Sequence, residues 1–422
     1  MALQIIATNT TNAGIGADLG TVDSIYVAGN YIVASTGAIG ISGIGSGHQA
    51  TIYGSVFGTF GLSLGDSSTL DSNQRVYIGD GATVGGTSAG VRVSGFGARV
   101  ENHGEIQGTA NGLIFSGTGA TGSRLFNYGT IDGGDNGIAR GAATNTETIE
   151  INNYGTITAE FEAFNANGAS AIERIYNRGT ITGDIDLGLG NDLYDGRGGV
   201  LNGTVMGGDG DDMFVLGAGA DEVSGGNGID LLDLRHSAAV RVALDGSFDN
   251  GGAAAGDFYF GIENIIGSTL GADVLVGDAQ ANKLLGLGGV DIIAGGIGND
   301  TITGGYGSDK VSGGAGNDAF IFNLRGEAGD AISDFSNLAG NNDTLFIKAA
   351  TFGGGLTAGF LAATKFQVRA DNLAQDLDDR FILRTTDKTL WFDVNGSAAG
   401  GAILVADLQS TATMTASDIF LF

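Results

Sequence analysis

Aspartate recurs at every ninth residue of the stretch GGIGNDTITGGYGSDKVSGGAGNDAFIF (295–322), at Asp300, Asp309 and Asp318, and glycine pairs recur with it. From Ser268 to Ile321 the chain divides into six consecutive blocks of nine: STLGADVLV, GDAQANKLL, GLGGVDIIA, GGIGNDTIT, GGYGSDKVS and GGAGNDAFI. Position six carries Asp273, Asn282, Asp291, Asp300, Asp309 and Asp318. Position eight is always apolar: Leu275, Leu284, Ile293, Ile302, Val311 and Phe320. A second run, GGDGDDMFV, LGAGADEVS and GGNGIDLLD, spans 207–233 and supplies Asp212, Asp221 and Asp230. An isolated copy, LGLGNDLYD, places Asp192 just upstream. Self-similarity at so strict a period is the mark of a repeat architecture.

The residue types say what each block does. Glycines at positions one and four (Gly207, Gly210, Gly225, Gly228, Gly295, Gly298, Gly304, Gly307, Gly313, Gly316) permit a tight turn with positive φ. The segment after each Asp is a short strand with one side chain pointing inward. If two blocks make one turn of a flattened solenoid, blocks 18 residues apart stack. Asp273, Asp291 and Asp309 then line one edge, and Asn282, Asp300 and Asp318 the other. Stacked carboxylates repel unless a cation sits among them, and hard oxygen ligands beside turn carbonyls suit Ca²⁺ far better than a transition metal. Several Ca²⁺ ions are expected. The turn of GDAQANKLL, with Asn282 and without the usual glycines, departs from the pattern. A Gly–Asp-rich disordered linker would lack the regular apolar position.

These blocks resemble the nonapeptide repeats of the RTX (hemolysin-type) family, whose members form calcium-binding parallel β-rolls. The resemblance implies that the position-six residues and the turn glycines are the calcium ligands.

Upstream the period lengthens. ARVENHGEIQG, SRLFNYGTIDG, INNYGTITA and RIYNRGTITG place Gly104, Gly129, Gly155 and Gly179 at spacings of 25, 26 and 24, with fainter copies around Gly54 and Gly81. Each coil offers three short β-prone runs between Gly, Asn or Ser turns, which predicts a parallel β-helix. Val56, Val84, Ile106, Ile131, Ile157 and Ile181 form its expected inward stack, and Asn102, Asn127, Asn153 and Asn177 an amide ladder. A β-sandwich of short strands is the alternative. Because GDIDLGLGND runs straight from the last coil into the first nonapeptide, one coaxial rod is expected. The predicted fold is all-β, with a β-helix over 1–186, a first roll block over 187–233, a connecting insert over 234–267, a second block over 268–325 and a β-rich cap over 326–422. The coil style is similar to that of bacterial surface adhesins. The C-terminal segment DDRFILRTTDKTLWFDVNGSAAGGAILVADL resembles the end of alphaproteobacterial type I secretion substrates. That resemblance implies the type I secretion machinery as a partner, an uncleaved C-terminal signal and a secreted, extracellular or cell-surface location.

Composition narrows the partners. A formal net charge of −28, from 47 Asp+Glu against 19 Lys+Arg, disfavours nucleic acid and anionic membrane. No stretch approaches the ~18 apolar residues of a membrane span. The start, MALQIIATNTTNAG, lacks the basic and apolar segments of a cleaved secretory signal. With 79 Gly, no Pro and no Cys, neither disulfides nor a thiolate metal site is available.

Catalytic motifs are weak. No H-E-x-x-H occurs, and His48, His103 and His236 are dispersed. GLSLG at Ser63 and GTSAG at Ser88 match G-x-S-x-G, but chance supplies about one such match here and both fall on β-helix repeats. GTGATG (117–122) lacks a following helix pattern. A polysaccharide lyase or epimerase would need a base, an acid and a cation clustered in a groove. Arg75, Arg92, Arg99, Arg124, Arg140, Arg174 and Arg178 are scattered along the coils. The expectation is therefore no enzyme, but a calcium-dependent structural protein that self-assembles into a homopolymeric filament or an S-layer-like array. The alternative is a monomeric adhesin binding surface polysaccharide, with Tyr128, Tyr154 and Tyr176 either contacting glycan or forming a structural stack.

Overall fold

The computed structural model describes residues 3–20, 24–66, 71–117, 119, 121–142, 144–217, 219–398 and 400–422. It divides into two units, Met1–Asp230 with Phe258–Gly261, and Leu231–Asp257 with Ile262–Phe422.

The first unit is a parallel β-helix. Its coils place the strands Gln49–Ile52, Arg75–Ile78, Arg99–Asn102, Ser123–Asn127, Ile149–Asn153 and Glu173–Asn177 side by side, each in parallel register with the next. A second face stacks Val56, Val84, Ile106, Ile131, Ile157 and Ile181 as successive partners, all buried. In-register parallel stacking rules out the antiparallel pairs of a sandwich. At the corner between these faces Asn102, Asn127, Asn153 and Asn177 are fully buried, and each Nδ2 of the first three donates to the next Oδ1 at 2.8–2.9 Å. The same Nδ2 groups also donate to the carbonyls of Thr130, Thr156 and Thr180. An amide with both ends bonded can be buried at no net loss. The β-helix passes into the first nonapeptides unbroken: Arg174–Tyr176 pairs with Leu193–Asp195, which pairs with Met213–Val215.

The second unit is a two-faced roll. Val274–Val276, Ile292–Ile297, Lys310–Ala315 and Asp330–Ile332 stack on one face. Asn264–Ile266, Lys283–Leu285, Thr301–Thr303, Ala319–Phe322 and Thr344–Ile347 stack on the other. Two nonapeptides thus make one coil, so Leu275 lies beside Ile293 and Val311, and Leu284 beside Ile302 and Phe320. These position-eight side chains are the buried core. The C-terminal residues pair onto the last coil: Ala402–Leu408 runs parallel to Asp330–Ile332, and Ile419–Leu421 parallel to Thr344–Ile347. Antiparallel strands Thr389–Asp393 and Phe381–Arg384 continue outward from there. Covering an open coil edge satisfies backbone groups that would otherwise invite pairing with another chain. Among the described residues no helix is long and apolar enough to cross a membrane.

Candidate calcium sites

Along the stacked coils, position-six carboxylates accept the backbone N–H of the position-six residue one coil earlier. Asp273 N donates to Asp291 Oδ1, and Asp291 N to Asp309 Oδ1, both at 2.8 Å. On the other edge Asn282 N donates to Asp300 Oδ1, and Asp300 N to Asp318 Oδ1, at the same distance. In the first block Asp192 N donates to Asp212 Oδ1, and Asp212 N to Asp230 Oδ1. The two edges expected from an 18-residue stagger are therefore present as two hydrogen-bonded columns.

The second carboxylate oxygen distinguishes two kinds of turn. In Asp192, Asp212, Asp291, Asp300, Asp309 and Asp318 the buried Oδ2 has no hydrogen-bond partner. In each of these blocks position two has a left-handed φ: Gly188, Gly208, Leu287, Gly296, Gly305 and Gly314. In two blocks whose position two lacks that conformation, the turn caps its own acceptor. Ser268 N and Oγ both donate to Asp273 Oδ2, and Asp278 N donates to Asn282 Oδ1. A buried, unpaired carboxylate oxygen is costly unless a cation meets it.

Position-one glycines complete the arrangement. A Cβ on Gly295 would lie 2.2 Å from Asp300 Oδ2 and 2.5 Å from the Gly313 carbonyl oxygen; on Gly286, 2.3 Å from Asp291 Oδ2 and 2.5 Å from the Gly304 oxygen. Gly207 repeats this with Asp212 and Gly225. Carboxylate and carbonyl oxygens thus face one another across a space that no side chain enters. Among the described residues no three His, Cys, Asp or Glu side chains converge as a metal cluster; an ion held here would draw much of its coordination from backbone carbonyls. A donor set of hard oxygens fits Ca²⁺. The residues that would hold it are the six unpaired aspartates with the bare turn backbone around Gly207, Gly295, Gly304 and Gly313.

Electrostatics agrees. Burial pushes Asp291 up to about 7, helped by the Asp309 and Asp273 carboxylates, and Asp212 and Asp300 up to about 6. Burial likewise raises Asp192, Asp273, Asp309 and Asp318. A divalent cation would reverse this by favouring the charged form.

Several assignments shift. The positive φ expected of both turn glycines holds at position four (Gly210, Gly228, Gly298, Gly307, Gly316), while position one needs glycine for space. The second left-handed residue is position two. Asp221 is only half-buried, unlike Asp212 and Asp230 on either side of it. Two further ladder members escaped the period: Asp309 N donates to Asp330 Oδ1 and Asp318 N to Asp343 Oδ1. Burial raises these carboxyls to about 8 and about 6. Upstream the same corner uses neutral acceptors, with His48 N donating to Gln74 Oε1 and Ala98 N to Ser123 Oγ. At the junction Glu173 N donates to Asp192 Oδ1, and Arg140 is buried against Glu173 and the Glu147 carbonyl.

Among the candidates for other chemistry, Ser63 is buried and accepts from Arg92 Nε at 3.0 Å. His48 is buried with Nε2 on the Ile44 carbonyl, and His103 stacks on Tyr128 with centroids 4.7 Å apart. Residues 118 and 120 of GTGATG lie outside the described residues.

The family of RTX calcium-binding nonapeptide repeats matches residues 197–232, 268–302 and 285–320. No curated protein matches the chain in sequence. Among solved structures, an extracellular lipase from Serratia marcescens is similar to the chain at 16% identity and a TM-score of 0.21, over 66% of this chain and 45% of the lipase. The chain thus spans less than half the length of that enzyme.

Proposed function

Because the chain is an RTX repeat protein whose repeats bind several Ca²⁺ ions, we propose that it is a secreted structural protein, stiffened by calcium outside the cell and assembling with copies of itself. The observation that carries this reading is the run of apolar side chains turned outward on the second roll block. Leu270, Val290, Ile292, Ile297 and Tyr306 are all exposed. Exposed apolar side chains on a solenoid surface suit protein contact, and stacked coils offer such a surface to further copies, which suits a filament or array. Metal binding only to the folded form adds its free energy to stability, so low cytosolic calcium keeps the chain loose for type I export and external calcium sets it. On this reading the chain is not an enzyme. Ser63 is occupied by Arg92, and the buried carboxylates are calcium ligands rather than acids and bases.

The test is calcium titration of chelated protein, followed by circular dichroism and negative-stain electron microscopy. β-Structure and ordered filaments or sheets appearing together support assembly. A folded chain that stays monomeric at high concentration overturns it. Glycan binding by a monomer is the second reading, and the arginines of the β-helix favour it.

A further inference from the structure

Residues 21–186 contain seven arginines and no lysine, within a chain of net charge −28. Their scatter along the sequence hides an alignment. Arg75 pairs in register with Arg99, Arg99 with Arg124, Arg124 with Glu150, and Glu150 with Arg174. Four of the seven therefore stand in one outward-facing column on consecutive coils, interrupted once by a carboxylate. The column lines a groove of about 500 Å³. At ~4.8 Å per strand its five rungs span about 19 Å.

Like charges directly opposite on neighbouring strands destabilise a sheet, so the column costs the fold something. Among the described residues only Glu101 and Glu150 form ion pairs with it, at 3.2 Å from Arg99 and 3.5 Å from Arg124. The Arg99 and Arg124 side chains stay 48% and 59% exposed. Phe126 holds the Arg99 guanidinium at 4.4 Å from its ring, and the Gln74 and Gly97 carbonyls hold that of Arg75. Guanidiniums fixed in place and still open to solvent are suited to two-pronged contact with carboxylate or sulfate. The tyrosine candidates are less suited to glycan. Tyr128 and Tyr154 stack face to face, 5.1 Å apart and 7° from parallel, so each covers the other's face. Tyr176 is not in their row, because it precedes Asn177 and pairs with Asn152.

We infer that this groove binds an acidic polysaccharide, extended along the β-helix axis with one acidic group near each arginine rung. The inference rests on the glycan-binding reading and does not require assembly. Nucleic acid fits less well, since duplex phosphates come at about one per 1.7 Å of axis, far denser than the rungs.

The experiment titrates calcium-loaded full-length protein with fluorescently labelled tetragalacturonate, a short uronate too small to gel with calcium. A neutral dextran oligomer and an oligothymidylate serve as comparisons. Tetragalacturonate is expected to bind, more weakly as salt rises. The triple variant Arg99→Gln, Arg124→Gln, Arg174→Gln should lose at least tenfold in affinity while its melting temperature is unchanged or higher. Glu150→Gln, which removes the interrupting carboxylate, should bind about threefold tighter. Arg384→Gln, in the second unit, should bind like the parent. Equal binding by the triple variant, equal binding of dextran, or tighter binding of oligothymidylate overturns the inference. So does glycan-free self-association that the triple variant loses, which would make the groove a seat for a second copy.

Discussion

Adjacent glycines in a nonapeptide are there for different reasons, and substitution separates them. Gly305 has φ +101, and a Cβ there would lie 2.2 Å from the Leu287 carbonyl oxygen. Gly304 has no such φ, but its Cβ would lie 2.4 Å from Asp309 Oδ2. Gly305→Ala should therefore destabilise the chain by about 1–3 kcal/mol with or without calcium. Gly304→Ala should chiefly displace the carboxylate, raising the calcium midpoint about tenfold while leaving the chelated protein close to the parent. Urea unfolding in chelator and in excess calcium reads both; identical losses from the two variants would sink the distinction. A glycine pair in the sequence does not reveal which member needs the left-handed backbone. Leu287 shows why: it adopts φ +72 at position two, although its side chain argues against it, because the coils on either side impose the turn.

At the scale of the element, what was legible was whatever repeats at a constant interval. The Asn column, the inward Val/Ile stack and the two Asp edges all follow from the period, because parallel in-register coils bring equivalent positions together. Asp330 and Asp343 were hidden because the loops before them lengthen the step to 21 and 25 residues. The Arg140, Glu147 and Glu173 contacts come from unequal steps between coils, and no interval announces them. Arg140 and Glu173 side chains are both fully buried, so Arg140→Met should cost about 3–5 kcal/mol by leaving a buried carboxylate without its partner. Asn127→Ala removes an acceptor from Asn102 and a donor from Asn153 and Thr156. Its expected cost is about 2–4 kcal/mol, from groups left buried and unbonded. Denaturant midpoints check both. A loss below 1 kcal/mol for Asn127→Ala would mean the ladder relaxes or admits water.

For the whole molecule, the stacked carboxylates make stability depend on pH with opposite signs in the two metal states. Without calcium, the folded chain holds Asp212 and Asp300 at about 6, Asp291 and Glu147 at about 7 and Asp330 at about 8, against ordinary values of 3.8 for Asp and 4.5 for Glu. Between about pH 4.5 and 8 the folded form therefore binds more protons than the unfolded one, so stability falls as pH rises across that window. Protons and Ca²⁺ held by these aspartates would compete for the same oxygens. With calcium in excess the aspartates must be ionised to hold it, so the loaded protein loses stability as pH falls below about 6. Melting temperatures of calcium-stripped protein should rise from pH 8 to pH 5, those of loaded protein should fall, and the two curves should approach each other at the acid end. Calcium added near pH 7 should release protons, measurable with a pH dye in weak buffer. If the stripped protein instead grew steadily more stable from pH 5 to 8, the buried ladder would not be the controlling charge of the fold. The cation would then have to act elsewhere.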